Sequence, residues 1–180
     1  SLVGLSAEIV ASGGGGTPST PIPIVGHSEL NLVRCGKNFV ALNASPYQSA
    51  VNTGVSVNSE STDLLSITSS AVPYACRQLY YKLPAGTYTV SLGETTKTGT
   101  DTPVISIYDY PNGTLIVNAL SANNNVVFTL SDETVLDIRL FATGNTAEVN
   151  TVTFSDFQIE LGSTATAYAP YNGQTFTVSF

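Results

Sequence analysis

The chain has 180 residues and a net charge of −7, from thirteen Asp and Glu against six Lys and Arg. Its cations stand singly, which excludes the clustered positive charge that nucleic acid or an anionic membrane surface requires. No apolar run approaches the roughly 18 residues of a membrane span. Hydrophobic residues make up 42% and charged residues only 11%, against about 25% charged in ordinary globular domains. Ser, Thr and Asn fill the polar positions instead, which suits exposed strand faces and turns. That composition reads as one well-buried, extracellular-type all-β domain. The chain contains no Met and starts at Ser1 with no signal-peptide pattern, so it reads as a fragment of a longer polypeptide.

In chain order, Leu2–Ala11 alternates as a first strand. Ser12-Gly-Gly-Gly-Gly-Thr-Pro is a flexible break, and Pro18, Pro21 and Pro23 impose an extended run. Residues 1–28 are read as an arm strand plus a Gly/Pro-rich connector, residues 29–173 as the compact module, and residues 174–180 as an exit strand. Within the module the period is two. Tyr88, Val90 and Leu92 alternate with Thr87, Thr89 and Ser91. Ile105 and Ile107 alternate with Val104, Ser106 and Tyr108, and Pro111-Asn-Gly113 then turns the chain into Leu115-Ile-Val117. Asn123-Asn-Asn125 turns it again into Val126–Leu130, and Leu136, Ile138 and Leu140 alternate with Asp137 and Arg139. Strands recurring every 8 to 12 residues between turns are the pattern of a β-sandwich. In the last strand Val152 and Phe154 share one parity, while Phe157, Ile159 and Leu161 take the other. This slip predicts a bulge at Ser155-Asp156, its carboxylate either bonded to freed backbone N–H groups or holding an ion.

Few residues carry chemistry. His27 is the single imidazole and sits in the connector, so a nucleophile–His pair would have to be recruited from outside the core. Cys35, Cys76 and one His cannot make an ordinary zinc site. Sugar binding needs flat aromatic faces with amides, carboxylates and hydroxyls beside them. The chain has no Trp, but nine Tyr and seven Phe. The Phe residues and Tyr88 follow core parity. Tyr108 and Tyr110 share a strand face, flanked by Asp109 and Asn112, and Tyr80 and Tyr81 follow Arg77 and Gln78. These seven, Arg77, Tyr80, Tyr81, Tyr108, Asp109, Tyr110 and Asn112, are the candidate ligand contacts.

Three segments carry a resemblance. Asp156-Phe-Gln-Ile-Glu-Leu-Gly-Ser-Thr-Ala-Thr-Ala-Tyr-Ala-Pro-Tyr171 resembles the ending of carbohydrate-binding-module-like domains of bacteriophage and prophage tail proteins. Gly16-Thr-Pro-Ser-Thr-Pro-Ile-Pro-Ile24 with Val33-Arg-Cys-Gly-Lys-Asn38 is similar to their lead-in. Leu83-Pro-Ala-Gly-Thr-Tyr-Thr-Val-Ser-Leu92 is similar to an internal strand of the same modules. The matches span residues 16 to 173 in the family's order.

The resemblance implies a jelly-roll β-sandwich of two antiparallel sheets behind an N-terminal extended arm. It implies non-catalytic recognition of bacterial cell-surface polysaccharide by a tail adhesin, carried on the outward-facing virion tail and assembled in the bacterial cytoplasm with other tail subunits as a homotrimer. In that reducing compartment Cys35 and Cys76 read as reduced thiols, with one disulfide as the alternative. Such modules often carry a structural calcium, and Asp156 occupies the comparable place. Tyr168 and Tyr171 read as packing the exit segment onto the module. Two rival readings remain: a ligand-free spacer of a tail fibre or baseplate, and an accessory module of a bacterial surface glycosidase or adhesin.

Overall fold

The alternating segments become strands that bury their apolar parity. The computed structural model describes residues 29–34, 37–172 and 174–179. The arm and connector of residues 1–28, with His27, and Cys35 lie outside the described residues. The first described strands are β1 (Glu29–Arg34), β2 (Val51–Thr53), β3 (Val55–Glu60), β4 (Leu64–Ser69) and β5 (Cys76–Leu83). Next come β6 (Gly86–Leu92), β7 (Thr95–Lys97), β8 (Val104–Tyr110), β9 (Thr114–Leu120) and β10 (Asn124–Leu130). The chain ends with β11 (Thr134–Phe141), β12 (Thr151–Ser155), β13 (Gln158–Leu161) and β14 (Gln174–Ser179). There is no helix among the described residues.

Contacts divide the chain into two units. The smaller includes most of β1 and the end of β14, which pair in a two-stranded sheet. The larger, Val33–Thr175, holds β2 to β13. One of its layers is a five-stranded sheet in the order β2-β5-β11-β8-β9. The other consists of a four-stranded sheet, β3-β4-β12-β7, and a three-stranded sheet, β10-β6-β13. Every pairing among these strands is antiparallel. Successive strands or strand pairs cross from one layer to the other, as expected of a jelly-roll sandwich. Between the layers lies one apolar core. Leu79, Tyr81, Leu136, Ile138, Ile105 and Ile107 come from the five-stranded sheet, and Leu65, Ile67, Val152, Phe154, Tyr88, Val90 and Ile159 from the opposing layer.

The expected break at Ser155-Asp156 explains why the second layer is two sheets. Asp156 takes a left-handed φ of 56°, ending β12 and re-aiming the chain into β13. The neighbouring strand breaks beside it: β6 pairs with β13, β7 pairs with β12, and Gly93 sits between β6 and β7. The Gly93 N–H donates to the Asp156 carbonyl (3.2 Å), and the Asp156 N–H donates to the Asp63 carbonyl (3.1 Å). A Cβ on Gly93 would stand 2.6 Å from that of Asp156, so only glycine lets the two strands bend together. Leu161 departs from expectation. It ends β13 with 65% of its surface exposed, beyond the reach of the core.

On β13 the outward side chains are buried as well. Gln158 and Glu160 lie under residues 162–169, where the terminal motif folds back. The Glu160 carboxylate accepts from the Thr166 N–H (2.8 Å), the Thr166 hydroxyl (2.7 Å) and the Gln158 amide (2.8 Å). The Gln158 amide oxygen in turn accepts from the Ala169 N–H (2.9 Å). Lys37 lies 3.8 Å from Glu160 and donates to the Ala167 carbonyl. On β6, the buried Thr89 hydroxyl donates to the Gly162 carbonyl. The motif is therefore a latch that closes the outer face of β13 and β6.

Burial opposes the charge on Glu160, but the Thr166 bonds, Lys37 and Gln158 outweigh it and hold the carboxyl below its ordinary 4.5. A depressed carboxylate contributes stability above its unfolded pKa, and that stability is lost as pH falls through the folded value. Thermal unfolding followed by circular dichroism should therefore show Glu160→Gln melting below the wild type at neutral pH. Between about pH 6 and pH 3 its melting temperature should also fall less steeply than the wild type's. Parallel curves would contradict the latch.

Candidate functional site

With the outer face of β13 latched shut, the outer faces of the four-stranded and five-stranded sheets stay open, and only that of the five-stranded sheet gathers tyrosines. Its residues come from the parity opposite the core. β11 is central, and antiparallel register sets Asp137 between Tyr80 of β5 and Tyr108 of β8. One step along, Arg139 lies between Gln78 and Ser106, and on the other side Val135 lies between Lys82 and Tyr110. Three strands distant in sequence thus put tyrosines, an amide and an ion pair on one surface.

The polar centre is paired within itself. Asp137 is only 4% exposed. It accepts from Arg139 Nε (2.9 Å) and Nη2 (2.7 Å) and, more weakly, from the Gln78 amide (3.3 Å). Burial opposes the charge on Arg139, yet its bond to Asp137 and the charge of that carboxylate raise its pKa above the usual value. The guanidinium carbon sits 4.3 Å from the centre of the Tyr108 ring. A cation–π contact of this kind fixes one ring face, and Tyr108 also walls a cleft of about 210 Å³. Ser106, Asn118, Phe141 and Tyr74 help line that cleft, supplying a hydroxyl, an amide and two more rings. Asn118 precedes Ala119, whose φ of 49° marks a register irregularity between β8 and β9. The Ala119 N–H donates to the Ser106 hydroxyl (3.2 Å).

On the other side of Asp137 the rings form a cluster. Tyr110 meets Tyr80 edge-on at 5.2 Å and Tyr47 at 6.4 Å. Tyr47 is 50% exposed and Tyr110 partly so, whereas Tyr80 is only 5% exposed beneath them. Burial and the nearby Asp137 charge push the Tyr80 hydroxyl up. Across the face, partly exposed tyrosine surface alternates with hydrogen-bonding groups.

Of the seven residues anticipated, Tyr108 and Tyr110 lie partly exposed on this face. Tyr80 is on it but covered, which makes it a support for Tyr110. Tyr81 is a correction: it shares core parity with Leu79 and Leu83, and its hydroxyl donates to the Ala41 carbonyl (2.7 Å) and accepts from the Ala41 N–H (2.9 Å). Asp109 and Asn112 bond to each other (2.8 Å) and shape the turn after β8. Arg77 is held at the sheet edge by Asn52 (2.8 Å) and Glu60 (3.1 Å), away from the tyrosines. Asp156 lies in the opposing layer. Gln78, Asp137 and Arg139 were not anticipated as contacts. The period-two pattern placed Asp137 and Arg139 opposite the core, but their neighbours depend on register. Cys76 is buried and free, and burial pushes its thiol up to about 11, leaving little thiolate at neutral pH.

Two solved structures show partial likeness. An exo-β-agarase has a TM-score of 0.42 and 8% identity, covering 73% of this chain and 26% of that one. The CBM22-1 xylan-binding domain from Paenibacillus barcinonensis Xyn10C has a TM-score of 0.34 and 13% identity, covering 70% of this chain and 94% of that one. This chain thus spans about a quarter of the agarase. No protein-family model and no curated protein matches the sequence.

Replacing Asp137 strips Arg139 and Gln78 of their partner. Breaking a buried pair costs about 3–5 kcal/mol. Because a third of the Arg139 side chain is exposed, solvent screening lowers that cost to about 2 kcal/mol. Asp137→Ala should therefore lower the melting temperature by about 5 °C. An unchanged melt would show that the ion pair does not brace the face.

Proposed function

We propose that this protein is a non-catalytic glycan-binding module that receives saccharide across the outer face of its five-stranded sheet. The observation that carries this reading is the row of exposed Tyr47 and partly exposed Tyr110 and Tyr108, set over an internally paired polar centre and leading into the cleft. Pyranose C–H faces stack on the rings, and sugar hydroxyls bond to Arg139, Ser106 and Asn118 at the margins. Preformed clefts with a few oriented polar groups are the usual form of small-ligand sites.

The setting we propose is a phage tail adhesin facing bacterial cell-surface polysaccharide, assembled with other tail subunits as a homotrimer. Its support is the sequence resemblance over residues 16 to 173. Several copies would offset the weak affinity of a single saccharide contact. A ligand-free spacer is the competing reading, favoured by the absence of Trp and by the latch role of the terminal motif. Binding to a glycan array and to whole bacteria, with the chain presented multivalently, separates the two. Tyr108→Ala and Tyr110→Ala should each weaken binding at least about tenfold with folding intact, as stacking contacts lose when truncated. Tyr81→Phe should bind normally. Absence of binding at high valency supports the spacer.

A calcium at Asp156 would have to draw most of its oxygens from outside the main chain of that residue. The Asp156 main-chain N–H and carbonyl are both engaged, the N–H by the main-chain carbonyl of Asp63. Burial, with the charges of Asp63 and Asp156, raises the Tyr168 hydroxyl to about 12. Among the described residues no three Asp, Glu, His or Cys side chains form a metal-binding group, whereas calcium takes six to eight oxygens. EDTA should leave the melting temperature unchanged. A fall of several degrees would place a cation there.

A further inference from the structure

We infer that the glycan taken by this face is uncharged. The inference rests on the binding-face reading above and adds the ligand's charge class to it. An acidic saccharide, bearing carboxylate, sulfate or phosphate, needs a cation free to pair with it, and the described side chains of this surface hold none. Arg139, the cation at its centre, is charge-matched by Asp137 at 2.7 Å and packs over the Tyr108 ring. Lys82, at the rim next to Val135, is matched by Glu133 at 2.5 Å.

Three further cations with described side chains are committed elsewhere. Arg77 pairs with Glu60 at the sheet edge, and Lys37 belongs to the latch. Lys97, on the opposing layer, donates to the Thr100 carbonyl (2.6 Å). Asp109 adds a carboxylate at the end of β8, next to Tyr110, held by Asn112. A polyanion approaching the tyrosines would therefore meet paired charges locally and a net charge of −7 on the whole chain. The field of that net charge reaches about 10 Å at ordinary salt. Breaking the Asp137–Arg139 pair to free the guanidinium would strand a buried carboxylate, which costs more than a surface ion pair returns. A neutral sugar pays none of this: its hydroxyls take the hydrogen-bonding capacity at Arg139, Ser106 and Asn118 while its ring stacks on Tyr108 and Tyr110.

The test is affinity electrophoresis and calorimetry on the full chain, presented as a tetramer. The neutral probes are a β-glucan and an unsubstituted galactan; the acidic probes are polygalacturonate, a sulfated galactan and a teichoic-acid-type polyphosphate. Each is run with wild type and Tyr108→Ala. The expected result is binding to a neutral polymer, lost in Tyr108→Ala and changing less than about twofold from low salt to about 0.5 M, since no charge is screened. Tyr108-dependent binding of an acidic polymer that salt abolishes would overturn the inference and leave the binding face standing. Binding to neither set, or binding indifferent to Tyr108→Ala, would overturn the face itself and the inference with it.

Discussion

The carboxylate of Glu160 holds the terminal motif against the sandwich and closes the outer face of β13. Core parity alone says nothing about which outward surfaces are covered in this way. Glu160, with Gln158 beside it, accepts the hydrogen bonds that fold residues 162–169 over β13 and β6. Lys37 ties the lead-in to the same carboxylate. A buried, charged acceptor with every partner supplied is a strong constraint, because leaving it unpartnered costs more than its net contribution when paired. The paired bend at Gly93 and Asp156 is the second constraint, since it splits the latched layer into two sheets joined at one kink.

The outer face of the five-stranded sheet solves the opposite problem. A polar surface that is to recognise a ligand must keep its own groups in place without help from that ligand. Asp137 does this for the centre by holding Arg139 and Gln78, and Arg139 in turn backs the Tyr108 ring. Tyr80 plays the same part for Tyr110. Rings fixed in this way give up little conformational freedom when a ligand stacks on them, which is the value of preorganisation.

Much of the fold was legible wherever a segment alternated cleanly. Thr87–Leu92, Val104–Tyr108 and Leu136–Leu140 are strands whose apolar parity faces the core, because a pleated strand permits nothing else. The slip between Phe154 and Phe157 located the kink, although the partner bend at Gly93 could be seen only in space. Tyr81 was misplaced because a Tyr-Tyr doublet offers one ring to each face, and the parity of Leu79 and Leu83 assigns Tyr81 inward. Tyr108 and Tyr110 were legible as a pair on one face, whereas Asp137, Arg139 and Gln78 were not legible as a site. Their grouping depends on the register of β5, β11 and β8, and no local pattern encodes that alignment. The terminal motif was legible as a signature, but its physical role as a latch emerged from the hydrogen bonds of Gln158 and Glu160.

The most direct measurement is an NMR titration of tyrosine-labelled chain with neutral gluco- and galacto-oligosaccharides, following each ring separately. If the open face of the five-stranded sheet is the binding surface, the resonances of Tyr47, Tyr108 and Tyr110 should shift together. Those of Tyr81 and Tyr88 in the core, and of Tyr168 and Tyr171 on the exit segment, should stay in place. Shifts confined to Tyr168 and Tyr171, or no shift at any ring at saturating sugar, would contradict the assignment of that face.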